Sequence, residues 1–325
     1  MRAIVIKQYG GPDALAIEER PDPKPQAGQV VIQVKAFGVN HAEIHMREGK
    51  WPEINEISGI ECAGVVEADP SGRFAHGEKV VAFMGGMGRS IAGSYAEFTR
   101  VPIGNVISVK TELPWEELAA IPESYATAWV CLLGNLAIRA DQTIVIRGAT
   151  SALGQAAVNI AARAGAHVIA TTRNAERTAM LQAIGAKEVL LETPVLSARV
   201  RERRPAGVDV VLELVGNSTV LDSLRMVRRE GRLCEAGWLG GLAPIAEFNP
   251  IMHLPSGVHF SLFGSFMFGT PEFPVSEVPM QTIVDRVATG AYKAKPVRVF
   301  RFEEIANAHR LMESNEAGGK MVVKL

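Results

Sequence analysis

The stretch VIRGATSALGQAAV, residues 145 to 158, decides how the middle of this chain is read. A β-branched run ends at a glycine, a few small residues follow, a second glycine comes next, and an alanine-rich helix begins. The end of a buried strand followed at once by a helix N-terminus is an anion site by construction, because unpaired amides and the positive end of the helix dipole point at one spot. The dinucleotide fingerprint GxGxxG falls on Ala149, Ser151 and Gly154, so only its third glycine is present, with Gly148 just ahead of the pattern. Alanine and serine are the smallest side chains after glycine, and close approach of a pyrophosphate survives. By itself the turn serves equally well as a tight strand-to-helix corner.

The next strand tips the balance. About twenty residues beyond such a turn, an NAD site places Asp or Glu against the ribose 2′-hydroxyl. Here HVIATTRNAER supplies Thr171, Thr172, Arg173, Asn174 and Arg177 and no acid at the strand end. A carboxylate would repel a 2′-phosphate, whereas a guanidinium grips it with paired hydrogen bonds. Arg173 and Arg177 are therefore candidates for NADPH selectivity, against the plainer reading of two solvated arginines. Two later strand ends, VLELVGNST and LCEAGWLGG, put Val215, Gly216 and Asn217, then Trp238 and Leu239, at the same edge of a parallel sheet.

Outward from this point the chain divides. From Leu113 to about 264, strands that are apolar on both faces alternate with helical segments over 152–164, 175–184 and 219–229, which predicts a doubly wound parallel sheet. Residues 1–112 are a succession of short β-branched runs broken by Pro, Gly and Asp, an antiparallel β-domain. Within it GGMGRSIAGS, at 85 to 94, is expected to be a mobile loop bordering a site. Residues 265–325 return to a mixed helix and strand pattern.

Lys plus Arg number 34 against 35 Asp plus Glu, so no global field draws the chain to nucleic acid or to an anionic membrane. The arginine-rich RVRERR at 199 to 204 lacks interleaved aromatics and is a solvated helix face. Cys62, Cys131 and Cys234 are isolated, with neither a disulfide framework nor a metal knuckle. With no signal peptide or membrane span at the N-terminus, a cytoplasmic protein is expected.

Six segments in order carry a family likeness: GVNHAEI at 38, GIECAGVVE at 59, GSYAEF at 93, YATAW at 125, GATSALGQAA at 148 and GGKMVV at 318. The chain resembles the zinc-independent quinone oxidoreductase (zeta-crystallin-like) branch of the medium-chain dehydrogenase/reductase superfamily. That resemblance implies a GroES-like β-rich catalytic domain built from 1–112 and 265–325, with a Rossmann domain over 113–264 between them. It implies NADPH as cofactor, cradled by Gly148, Ser151, Ala152, Leu153 and Gly154, and a homodimer formed across a late Rossmann strand. Zinc-dependent relatives carry Cys where this chain has Asn40 and His where it has Ile60. Two of three catalytic ligands are thereby lost, and no metal is expected.

The implied reaction is hydride transfer to a quinone or enone-type carbonyl. Asn40, Thr127 and His45 are the candidates for contact with acceptor or nicotinamide, each also readable as ordinary packing. The alternatives are a 2-alkenal double-bond reductase of the same fold, or a non-catalytic NADPH-binding protein of crystallin or redox-sensor type. Glu192 stands where relatives often have Tyr, and its role is open at this stage.

Overall fold

The computed structural model describes residues 1–325, and the chain forms two compact units, Met1–Ala126 with Ser265–Leu325, and Thr127–Gly264. The expected start of the second unit at Leu113 lies earlier than this division, because residues 113–126 group with the first unit. No helix is long and apolar enough to cross a membrane.

In the first unit, β1 (Arg2–Ile6) and β2 (Leu15–Glu19) form a hairpin-like pair. The main sheet grows from β3 (Gln29–Val39), which pairs antiparallel with β4 (Glu61–Ala68). β5 (Lys79–Phe83) follows on β4, β6 (Phe98–Pro102) pairs with β3, and β7 (Val106–Ser108) extends β5. Apolar side chains of these strands, with Phe37, Tyr95 and Phe302, close one core. The glycine-rich segment 85–94 does not lie free as expected. Met87 is 1% exposed, and a Cβ on Gly93 would stand 2.1 Å from the Ser58 carbonyl oxygen. The glycines there let backbone rest on backbone, which fastens the loop.

The second unit is a six-stranded, wholly parallel sheet. Its strands are β8 (Thr143–Arg147), β9 (His167–Thr172), β10 (Glu188–Leu191), β11 (Val208–Glu213), β12 (Val227–Glu235) and β13 (His259–Leu262). Their order across the sheet is β10-β9-β8-β11-β12-β13. This is the doubly wound order of dinucleotide-binding domains, and it reverses between β8 and β11, where a crevice opens at the carboxyl ends. The helix expected over 219–229 is cut to Val220–Leu224. Val227 is drawn into the sheet opposite Val208, the register slips before Arg232 meets Val210, and Glu230 takes φ 64° in the bulge. Sheet pairing outweighs the helical propensity of the VRRE run.

Two strands return to the first unit: β14 (Arg298–Arg301) pairs with β15 (Met321–Lys324), and β15 runs antiparallel to β3. The first unit thus closes the GroES-like β-domain with residues from both ends of the chain.

A row of charge crosses the carboxyl edge of the parallel sheet. Arg147 lies opposite Glu213, and Glu213 opposite Glu235. Arg147 is fully buried and donates to Glu192 (2.9 Å), to Asp222 (2.9 Å) and to the Ser223 hydroxyl (3.0 Å). This gives Glu192 its role: it neutralises a buried guanidinium one residue before the glycine turn. Glu213 accepts the amides of Val215 (2.7 Å) and Gly216 (3.1 Å), which fixes the loop after β11. Glu235 has no such support. It is 3% exposed, its Oε1 has no hydrogen-bond partner, and burial followed by the nearby Glu213 charge pushes its carboxyl up to about 7.

A carboxyl whose folded pKa is raised contributes stability below the ordinary carboxylate range and loses it as pH rises through the folded value. Melting temperature should therefore fall between about pH 5 and pH 8 through this group, and Glu235→Gln should flatten that slope. The variant is expected to melt above the parent at the alkaline end and close to it at the acid end. An unchanged slope in a pH series of thermal melts would remove Glu235 from the balance.

Candidate functional site

In the second unit the residues singled out from sequence converge on the switch point. Gly148 has φ 83°, and a Cβ there would stand 3.2 Å from both Leu214 and Leu239 side-chain carbons. Gly154 is required for a different reason: its Cβ would fall 2.5 Å from the Gly148 carbonyl oxygen. These two glycines are kept where sterics demand them, and Ala149 and Ser151 stand where they do not.

Ser151 caps the helix Ala152–Arg163, its hydroxyl accepting the Gly154 amide at 3.0 Å and donating to the Gly148 carbonyl at 2.9 Å. The amides of Ala152 and Leu153, in the first turn, are left without an intramolecular acceptor. Gly148 in turn gives its amide to the Thr171 hydroxyl at 3.1 Å, a contact the sequence reading missed. The loop after β11 closes beside the turn. A Cβ on Gly216 would meet the Gly237 oxygen at 2.7 Å and Trp238 Cδ1 at 3.1 Å, and Leu239 donates its amide to Leu214. Asn217 is spent on the Ala243 carbonyl (2.8 Å).

At the end of β9, Thr172 and Asn174 shape the chain rather than offering their side chains. The Thr172 hydroxyl bonds both the amide and the carbonyl of Asn174, and the Asn174 side chain accepts the Glu176 amide. Arg173 is exposed and makes no ion pair, and Arg177 is half-buried on the following turn. A glycine cradle that a Cβ would fill, two open amides and an unpaired guanidinium form a donor set that suits a dinucleotide phosphate.

In the first unit, Asn40 opens the short helix His41–Arg47. Its side-chain amide is fully engaged: Oδ1 accepts from Lys320 Nζ at 2.5 Å, and Nδ2 donates to Glu61 (3.0 Å) and Glu43 (3.3 Å). Lys320 also donates to Glu61, and the second Glu61 oxygen accepts the Glu123 amide at 2.8 Å. Glu61 thereby caps the helix Pro122–Trp129, which carries the buried Thr127.

Glu43 is fully buried and faces only donors, namely the Asn40 amide and side chain, the Ile60 amide (3.1 Å) and the Tyr95 hydroxyl (3.2 Å). Burial outweighs the pull of the Asn40 donors and of the Lys320 charge, and leaves its carboxyl pushed up to about 7. Beyond Tyr95 lies His309 at 3.0 Å, whose other nitrogen meets Arg47 Nη1 at 3.0 Å. Arginine can only donate, so Nδ1 accepts and Nε2–H points at Tyr95. Burial and the Arg47 charge hold that imidazole neutral, down to about 3. Arg47 ends the chain on Glu313 near the surface.

His45 stacks on Trp51, with centroids 6.4 Å apart, and burial lowers its pKa. It presents a neutral ring whose Nδ1 has no partner. Sequence reading named Asn40, Thr127 and His45 but passed over Lys320 and Glu43. The GGKMVV segment was the available signal for the lysine.

Residues 26–111 match the alcohol dehydrogenase GroES-like domain family, and 152–279 match the family described as zinc-binding dehydrogenase. Despite that description, no group of three or more His, Cys, Asp and Glu side chains is arranged here to hold a metal ion. The rat (Rattus norvegicus) quinone oxidoreductase is 28% identical over 338 residues, spanning 100% of this chain and 98% of its own. A mycobacterial protein solved as a complex with NADPH superposes with a TM-score of 0.87 at 25% identity, over 100% of both chains. The quinone oxidoreductase of Pseudomonas syringae shares the fold, with a TM-score of 0.87 at 24% identity over 100% of this chain and 99% of its own. With a cradle for a dinucleotide phosphate on the β10-β9-β8-β11-β12-β13 sheet and full-length likeness to quinone oxidoreductases, this chain belongs to the quinone oxidoreductase branch of the medium-chain dehydrogenase/reductase superfamily and is a nicotinamide-dependent oxidoreductase of the quinone or enoyl reductase type.

Proposed function

We propose that the chain is an NADPH-dependent, zinc-independent reductase that passes a hydride to a quinone or an enone-type carbonyl. The observation that carries the cofactor preference is the end of β9, where Arg173 stands exposed and unpaired and no carboxylate takes the place of a 2′-hydroxyl ligand. Arg173 and Arg177 hold the 2′-phosphate, and the amides of Ala152 and Leu153 receive the pyrophosphate. Gly148, Ser151 and Gly154 shape that cradle, and Val215, Gly216, Trp238 and Leu239 flank the nicotinamide end. When bound, NADPH supplies the hydride.

The protein's own contribution is orientation and exclusion of water. A conjugated acceptor spreads the charge it gains, so hydrogen-bond donors suffice where a simple ketone would call for a Lewis acid. Thr127 orients the nicotinamide and His45 donates its neutral N–H to the acceptor. Asn40 acts one step back, because its amide is already spent on Lys320, Glu43 and Glu61. Zinc independence is supported by Asn40 and Ile60 at the two ligand places and by Lys320 beside them. Cys62 offers no substitute, since burial pushes its thiol well above the ordinary range.

In this reading the protein is cytoplasmic, with its three cysteines free. It works as a homodimer through the open edge of β13, where Phe260 and Leu262 are 41% and 54% exposed. Its partner in catalysis is a small electrophile, with no nucleic acid and no membrane.

The direct test is oxidation of NADPH followed at the nicotinamide absorbance band, with a small 1,4-quinone and then a 2-alkenal. Turnover with the quinone, unchanged by chelator, is expected; tight NADPH binding with neither acceptor reduced would overturn the reading. Reversing both arginines, Arg173→Glu with Arg177→Glu, should weaken NADPH by roughly 10- to 100-fold, the worth of lost hydrogen bonds to a charged group, and leave NADH nearly unchanged. Equal loss of both cofactors in a titration would sink the 2′-phosphate assignment.

A further inference from the structure

Lys320 is the only lysine among the buried residues, and its position is prepared by the chain around it. A Cβ on Gly38 would lie 2.2 Å from Glu61 Oε1 and 2.6 Å from Lys320 Cε, so β3 omits a side chain where the ammonium and its partner pass. Two carboxylates, Glu43 and Glu61, are both fully buried in this cluster. Without a cation beside them the cost of that burial would be severe. The ammonium also decides which way Asn40 points. Its Oδ1 faces Lys320 and its Nδ2 faces both carboxylates, whereas the flipped amide would set N–H against ammonium and oxygen against two carboxylates. Through Glu61 the same charge reaches the first turn of the helix Pro122–Trp129.

We propose that Lys320 is a positioning residue serving as the fixed cation of the site, in the place that a bound metal fills in zinc-dependent members of the superfamily. The disagreement between the matched family's description and this donor set then has a physical form. The volume beside Asn40 and Glu61 is filled by an ammonium carried on the chain, and the oxygens around it are already satisfied. A tethered monovalent cation sets hydrogen-bond directions without acting as a Lewis acid, which suits acceptors that delocalise their own charge. Only the kinetic part of the test rests on the hydride-transfer reading.

The experiment compares Lys320→Ala, Lys320→Met and Lys320→Arg in the full chain, with ethylammonium chloride as the probe for Lys320→Ala. Loss of the cation should lower kcat about 100-fold while NADPH affinity stays within about twofold, since misdirected catalytic groups cost rate more than binding. Ethylammonium should restore Lys320→Ala turnover saturably and raise its melting temperature, while ethanol and tetramethylammonium, lacking N–H⁺ donors, should do neither. Lys320→Arg, which keeps the charge, should stay closer to the parent than Lys320→Met in both melting temperature and kcat.

The proposal is overturned if Lys320→Met matches the parent, if Arg and Met variants are equally impaired, or if a folded Lys320→Ala ignores ethylammonium. Should the alanine variant fail to fold, the Arg and Met pair decides. Should the parent reduce neither acceptor, melting temperature and ammonium binding still decide, so the two readings fail separately.

Discussion

Two buried carboxylates and one ammonium form the constraint on which the first unit depends. Glu61 and Glu43 come from different parts of the chain, the start of β4 and the helix that follows β3, and Lys320 comes from its far end. The ammonium bonds Glu61 and Asn40, and Asn40 bonds both carboxyl groups, so the residue ahead of the last strand is tied to the segments that follow β3. The link does not stop at the pair. Glu43 is held by Tyr95, Tyr95 by His309 and His309 by Arg47, so a series of hydrogen bonds donated in one sense runs from Arg47 to Glu43, with Arg47 also donating to Glu313 near the surface. His309, kept neutral between an arginine and a tyrosine, gives that series its direction. Such a network specifies a single arrangement because any missing member leaves a buried polar group unpaired.

The second unit solves a similar problem with the opposite sign at its centre. There the buried group is a guanidinium, Arg147, and the chain surrounds it with Glu192, Asp222 and backbone carbonyls. The cofactor cradle begins at the next residue. Fixing Arg147 fixes the exit of β8, just as Glu213, beside it in the sheet, fixes the exit of β11 through two amides. The crevice at the switch point is thus framed from beneath by charges whose partners belong to the chain itself. Glu235, the outermost of the row, is the member left without donors, and it carries the pH sensitivity for that reason.

Much of this was legible in the sequence where local geometry alone decides. The parallel strands appear as double-sided apolar runs, and Gly148 and Gly154 stand where φ and close approach leave no choice. What was not legible depended on partners distant in the chain. The segment after 219 has the composition of a helix, yet Val227 joins the sheet because Val208 is waiting for it. The glycines of 85–94 suggest freedom, yet Gly88 and Gly93 let backbone rest on Ser58 and Gly59, and Gly85 and Gly86 make room for the Asn105 and Ser90 side chains. Asn40 was visible as a polar residue in a ligand's place, but its saturation depends on a lysine 280 positions away.

The weak fingerprint at 148–154 becomes intelligible on the same terms. Of the fingerprint's three tasks, the sharp turn falls here to Gly148 and the helix–strand contact to Gly154, both enforced by atoms within 3.3 Å of a hypothetical Cβ. The middle position asks only that the backbone amides stay open. Ser151 meets that demand by folding its hydroxyl back onto Gly148 and Gly154, which turns a side chain that would crowd a ligand into a cap that tightens the turn. Substitution is therefore tolerated where the added atoms can be absorbed by the loop's own hydrogen bonds and refused where they would meet backbone. The same rule describes Gly38 in the other unit, where the atom to be avoided belongs to Glu61. Glycines that look scattered in the sequence mark the places where two chain segments, or a chain and a charge, have to pass within contact distance.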